Sequence, residues 1–210
     1  MYNYAMKITP TLDREKEFWK QGKLVVGIDE AGRGAWAGPV VVAAVILPQK
    51  HKQVDGITDS KLISPAKRAE FYEIITDVAL DFGVGIISHD IVDKIGVLEA
   101  TKLGAKEAVS MMKIKPDYLL ADALDLRQHI CCEQEAIIKG DQKIYSISCA
   151  SIIAKVTRDN LMTNLGGKYN KYHFYQHKGY GTKLHQEMLA KHGVSDIHRR
   201  SYRPVKALCE

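Results

Sequence analysis

Apolar residues recur along the chain in two periods, and the switching between them predicts the order of elements. "KLVVGID" at residues 23–29 and "PVVVAAVIL" at 39–47 are short, rich in β-branched residues and bounded by glycine, as buried strands are. The short glycine-containing turn between them predicts a hairpin. Helical spacing predicts a helix over residues 12–20, and "DSKLISPAKRAEFYEIITDVAL" predicts another, with Ser64 as cap and Pro65 in the first helical position. "FGVGIIS" reads as a third strand, residues 97–113 as a helix, "PDYLLADAL" as a strand running into an aspartate, and "EAIIKGDQKI" as a short strand and turn. The small residues of "SISCASIIAKVTRDNLM" predict a closely packed helix, which Gly166 and Gly167 are expected to break, and a last helix is expected over residues 182–192. A hairpin followed by alternating helices and strands is an α/β domain, a mixed β-sheet flanked by helices, with no internal repeat.

Composition narrows the setting. At 210 residues and 46% hydrophobic, the chain can close one sizeable core. The apolar run at residues 39–47 is about half of the roughly 20 residues a membrane-spanning helix needs. The start, "MYNYAMKITPTLDREK", lacks the apolar core of a signal peptide, so a soluble cytoplasmic monomer with no membrane partner is expected. Cys131, Cys132, Cys149 and Cys209 form no C-x-x-C pair, which points to reduced, structural thiols and away from a zinc knuckle.

Charge changes the picture more. Residues 166–210 hold nine Lys or Arg against three Asp or Glu, leaving 21 against 22 before them, and they also hold five of the ten tyrosines and five of the eight histidines. Basic residues interleaved with aromatic ones suit a polyanion with stackable or sugar faces, a nucleic acid, although a solvated basic surface has the same composition. The expected organisation is a core over residues 1–165 with a small, helical, basic and Tyr-rich C-terminal region, 166–210, packed on it as a substrate-binding element.

The candidate chemistry begins in "GIDEAGRG" at residues 27–34, where Asp29 and Glu30 precede a Gly-Arg-Gly turn. Gly32, Gly34 and Ala37 match a dinucleotide fingerprint, but that fingerprint must open a helix, and Gly38-Pro39 followed by "VVVAAVIL" demands a strand. Two carboxylates beside a pyrophosphate would also repel it. A hard divalent cation is the better partner, since it prefers oxygen ligands and relieves the repulsion between close carboxylates. Asp122 at the end of "YLLAD" and Asp141 in "KGDQK" would join the pair if their strands are neighbours. Successive residues of a regular strand face opposite sides, so the strand is expected to end or distort at Glu30, turning both side chains into one cluster. His173 and His177, at i, i+4 spacing, have no third ligand nearby, so zinc is not expected.

Five ordered blocks resemble the type 2 ribonucleases H, the ribonuclease HII family. They are "GIDEAGRGAWAGPVVVAAVIL", "TDSKLIS", "LLADAL", "KGDQKIYSISCASIIAKVTRDN", and "HKGYGTKLH" with "IHRRSYRPV", and the likeness covers nearly the whole chain. The resemblance implies a ribonuclease H-like fold and an endonuclease that cuts the RNA strand of RNA/DNA hybrids and single ribonucleotides embedded in duplex DNA. It implies roles in ribonucleotide excision repair and RNA primer removal. It also implies that Asp29, Glu30, Asp122 and Asp141 coordinate two Mg²⁺ or Mn²⁺ ions for in-line displacement, leaving 3′-hydroxyl and 5′-phosphate ends. By the same likeness, Gly32, Arg33 and Gly34 read the 2′-hydroxyl through their backbone, and Tyr180 packs on the neighbouring deoxyribose. Lys61, Lys155, Arg158 and Lys178 are candidate phosphate contacts, although Lys155 and Asp159 at i, i+4 would equally form a surface ion pair.

Two positions depart from the family pattern. Ala35-Trp36 stands where many relatives have a proline or other small residue and then leucine, which puts a bulky ring beside the Gly-Arg-Gly turn, either as core, the favoured reading, or in touch with substrate; Ala123 follows Asp122 where many relatives have glycine. The C-terminus shows no aromatic motif for a sliding clamp. The alternatives are another ribonuclease H-like metal-dependent nuclease and a non-catalytic hybrid-binding module.

Overall fold

The computed structural model describes residues 9–209. After α1 (Asp13–Trp19), β1 (Val25–Ala31) and β2 (Val40–Ile46) form the expected antiparallel hairpin, and α2 (Pro65–Val78) starts where Ser64 accepts a hydrogen bond from the Lys67 N–H. β3 (Asp81–Ile87), α3 (His89–Ile95), α4 (Val97–Ser110), β4 (Tyr118–Asp122) and β5 (Glu133–Ile137) follow. The chain ends with α5 (Gly140–Lys143), the long α6 (Tyr145–Lys168), α7 (Phe174–His177), α8 (Lys183–His192) and α9 (Arg203–Lys206). The strands lie in the order β3-β2-β1-β4-β5; β2 runs antiparallel to both β3 and β1, while β4 runs parallel to β1 and β5 to β4.

Alternation along the strands builds two cores. Val25, Ala31, Val41, Ala43 and Val45 meet α6 on one face of the sheet, and Val26, Ile28, Val42 and Ala44 meet Ala100, Ala105 and Ala108 of α4 on the other. Glycine sets the approach on both faces. A Cβ on Gly27 would lie 2.3 Å from the Ser146 carbonyl carbon in α6, and one on Gly85 would lie 2.1 Å from the Gly104 oxygen in α4. A third cluster, of Ala37, Met162, Tyr172, Phe174, Leu189 and Ile197, seats the C-terminal region. Among the described residues no helix is long and apolar enough to cross a membrane.

Two expectations fail. α6 runs through Gly166 and Gly167 to Lys168, so the boundary expected after residue 165 falls inside a helix. Gly166 is a packing position, where a Cβ would sit 3.2 Å from the Tyr175 N and 3.5 Å from its Cβ. β1 does not end or distort at Glu30 either. Its pairing continues through Glu30↔Val42 and Ala31↔Val41, because β2 offers an unbroken partner at each position.

Candidate active site

Parallel pairing of β1 with β4 brings Ile28 level with Ala121, so the next residues, Asp29 and Asp122, arrive together at one end of the sheet. Asp141 comes from the first turn of α5, which Lys139 enters with φ +56°. Gly140 N–H donates to Asp122 Oδ1 at 2.7 Å, tying the turn to the strand end. A ligand oxygen from each of Asp29, Asp122 and Asp141 lies within 4.8 Å of the others.

Asp29 and Asp141 are each 4% exposed. Burial pushes the Asp29 carboxyl well above the ordinary range, and the charges of Glu30 and Asp122 push it further. Burial raises Asp141 to about 6, with the charges of Asp59 and Asp122 adding to it. Three close hard-oxygen donors held by backbone geometry, with their repulsion unrelieved, are a donor set suited to a hard divalent cation.

Glu30 stands outside this trio. Regular alternation keeps Asp29 on the face of Val25 and Ala31, under α6, while the Glu30 carboxylate accepts from Arg33 Nη1 at 3.2 Å. Burial raises the Glu30 carboxyl, and Arg33 opposes that shift. Beside these groups opens a cavity of ≈ 510 Å³ walled by Glu30, Gly32, Arg33, Gly34, Lys61 and Tyr180 among others. Gly32 has φ +96° and packs on Arg158, whose Nε a Cβ there would meet at 2.0 Å, whereas a Cβ on Gly34 would meet nothing within 4 Å, so the turn presents bare backbone at Gly34.

The basic residues divide. Lys61 reaches into solvent, its side chain 77% exposed and its Nζ 4.0 Å from Asp59 Oδ1. Burial draws the Lys61 ammonium down, and the charges of Asp59, Asp141, Asp29 and Glu30 more than reverse the effect. Lys155 donates to Asp159 at 2.7 Å, the i, i+4 pair expected, and its Nζ lies 5.3 Å from the centre of the Tyr180 ring. Lys178 Nζ donates to Thr163 Oγ1 at 2.8 Å and to the Tyr175 carbonyl, on the wall of an adjoining cavity of ≈ 570 Å³ that shares Arg68, Lys155 and Tyr180 with the first.

Arg158 does not fit a phosphate contact. It is fully buried, and its guanidinium donates to the carbonyls of Pro39, Lys178 and Ala37 at 2.9, 2.9 and 3.1 Å, with no face left for a ligand. It is a pin joining the loop after the Gly-Arg-Gly turn to the C-terminal region, and it supports the Tyr180 ring from 5.1 Å. Trp36, as favoured, packs on the third cluster, where a Cβ on Gly181 would strike its ring.

Two residues near the chemistry carried no role in the sequence. Asp59, buried at the start of the 3-10 turn Ser60–Leu62, accepts from Lys61 N–H at 3.0 Å and Gln142 Nε2 at 3.3 Å and adds a carboxylate beside Asp141. The "DSK" block was its signal. Arg68 donates to Asp159 at 3.3 Å on the cavity wall but reads in sequence as an ordinary helix-surface cation.

Comparison with known proteins agrees with this architecture. The family description "Ribonuclease HII" matches residues 26–205. A ribonuclease HII of Bacillus mycoides is 50% identical over 93% of this chain and 76% of its own length, and one from Dehalococcoides mccartyi is 46% identical over 96% of both. The crystal structure of the ribonuclease H2 from Pyrococcus horikoshii superimposes with a TM-score of 0.73 at 26% identity, covering 88% of this chain and 96% of that one. The chain belongs to the ribonuclease HII family and is a ribonuclease H endonuclease.

Proposed function

We propose that this enzyme cuts the RNA strand of RNA/DNA hybrids and incises duplex DNA on the 5′ side of an embedded ribonucleotide, acting in the cytoplasm in ribonucleotide excision repair and RNA primer removal. The observation that carries this reading is a buried aspartate cluster at the sheet end, next in sequence to Glu30, which walls a cavity together with the Gly-Arg-Gly turn. Asp29, Asp122 and Asp141, with Glu30 at their edge, would hold two Mg²⁺ or Mn²⁺ ions. Bound there, such ions supply an activated water and offset the charge that grows on the phosphate.

The protein's own groups supply position. The Arg33 and Gly34 N–H groups of the turn, which walls the cavity, suit the oxygen of a 2′-hydroxyl. Tyr180, whose ring centre lies 5.3 Å from Lys155 Nζ and 5.1 Å from the Arg158 guanidinium, would pack on the next sugar. Lys61, and Lys155 and Lys178 in the adjoining cavity, lie where backbone phosphates would pass. The test is to map the ends made from a duplex carrying one ribonucleotide. A 3′-hydroxyl and a 5′-phosphate on the ribonucleotide are expected, whereas a 2′,3′-cyclic phosphate would mean that the 2′-hydroxyl itself attacked, and would overturn the reading.

A further inference from the structure

Arg199 is fully buried, and none of its hydrogen bonds goes to a carboxylate. Nε and Nη2 donate to the Gly38 carbonyl at 3.0 and 2.9 Å, and Nη1 donates to the carbonyls of Gly32 at 2.7 Å and Arg33 at 3.1 Å. Nη1 also reaches the Tyr202 hydroxyl at 2.9 Å, and that hydroxyl donates onward to the Arg33 carbonyl. A buried guanidinium is costly unless its donors are met, and here most of them are met by the backbone that includes and follows the Gly-Arg-Gly turn.

The placement has an electronic consequence. The Gly32 carbonyl and the Arg33 N–H belong to one peptide group, and the Arg33 carbonyl and the Gly34 N–H to the next. A charged donor on a carbonyl draws electron density to its oxygen and leaves the N–H of the same peptide a stronger donor. Those two N–H groups have no acceptor among the bonds of the described residues, and both residues wall the ≈ 510 Å³ cavity.

We infer that Arg199, braced by Tyr202, is a positioning residue for ribonucleotide selection: it fixes the turn and strengthens the Arg33 and Gly34 N–H groups that bind the 2′-oxygen of the substrate. The inference rests on the proposed reading of the turn as the 2′-hydroxyl sensor. It assigns a function to "IHRRSYRPV" that lies behind the site rather than in contact with substrate.

The test uses full-length protein carrying Asp29→Asn to block cleavage, and measures Kd for two otherwise identical duplexes, one with a single ribonucleotide and one all-DNA. The ratio of the two constants isolates the 2′-hydroxyl. Tyr202→Phe keeps charge and bulk and removes only the hydroxyl; Arg199→Lys keeps charge and removes the fork. Each is expected to lower the ratio about threefold to tenfold, as expected for weakening one net hydrogen bond, with Arg199→Lys the stronger. A merely structural role would lower Tm and weaken both duplexes equally, leaving the ratio intact, and that result overturns the inference. If Arg199→Lys does not fold, Tyr202→Phe alone decides. A ratio of one in the parent would instead overturn the ribonucleotide-sensing reading on which the inference stands.

Discussion

Ala123, directly after Asp122, sits at φ +46°, in the left-handed region that glycine adopts without strain. Its N–H donates to the Ile137 carbonyl at 3.1 Å, so the strand end is held despite the alanine. Ala123→Gly is therefore expected to raise stability by up to about 1 kcal/mol in chemical denaturation while leaving cleavage unchanged. At Asp29, replacement by Asn should reduce cleavage by at least about a hundredfold, as loss of a metal-site charge does, with substrate binding largely retained; near-normal turnover would remove Asp29 from the site. For Tyr180→Ala the loss should be larger on a single-ribonucleotide duplex than on a long hybrid, since only the former places a deoxyribose against the ring. Equal losses in paired kinetic assays would contradict that role. At this scale the sequence was most legible where residue type and position agree, as at Asp122, an acid ending an apolar strand. It was least legible at Arg158 and Arg199. A basic residue buried chiefly against carbonyls leaves no mark in composition or spacing, because most of its partners come from loops far along the chain.

The elements matter through how closely they approach. α6 carries Lys155 and Arg158, and it can lie on β1 only because residue 27 has no side chain. Gly27→Ala would drive a methyl into the Ser146 backbone, so a loss of about 2–3 kcal/mol in stability is expected, with cleavage falling as α6 is displaced. Retention of full stability would mean that the contact is soft. The hairpin, the capped start of α2 and the span of α8 were all readable from β-branched runs, a Ser-Pro cap and helical period. The course of α6 through Gly166 and Gly167 was not. Two glycines in sequence read as a break, and their use as a seat for Tyr175 depends on a tertiary contact that local propensity cannot register. α5, α7 and α9 went unread because four residues are too few to show a helical period, and the seven-residue α3 was not anticipated.

The whole molecule is a scaffold that holds negative charge at one point and surrounds it with basic surface. Without metal, the raised carboxyls of Asp29 and Asp141 bind protons more readily folded than unfolded, so the stability each contributes is lost as pH rises, for Asp141 through about 6. His185 and His198, lowered to about 4 chiefly by burial, act oppositely, their contribution being lost as pH falls from the ordinary 6.5 towards 4. The rise in Tm produced by Mg²⁺ cancels the histidine contribution, which is the same in both arms. It should therefore be larger at about pH 7.5 than at about pH 5, where the aspartates retain protons. A rise independent of pH would separate metal binding from this cluster. The central claim is that the aspartate cluster and the Gly-Arg-Gly turn act together, one on the phosphate and the other on the 2′-hydroxyl. It is tested most directly by cleavage of a DNA duplex bearing one ribonucleotide beside the same duplex without it, each with Mg²⁺ or Mn²⁺ and with chelator. Incision of the ribonucleotide duplex alone, 5′ of the ribonucleotide and only with the divalent ion, is the predicted result; incision of the all-DNA duplex, or incision in chelator, would contradict it.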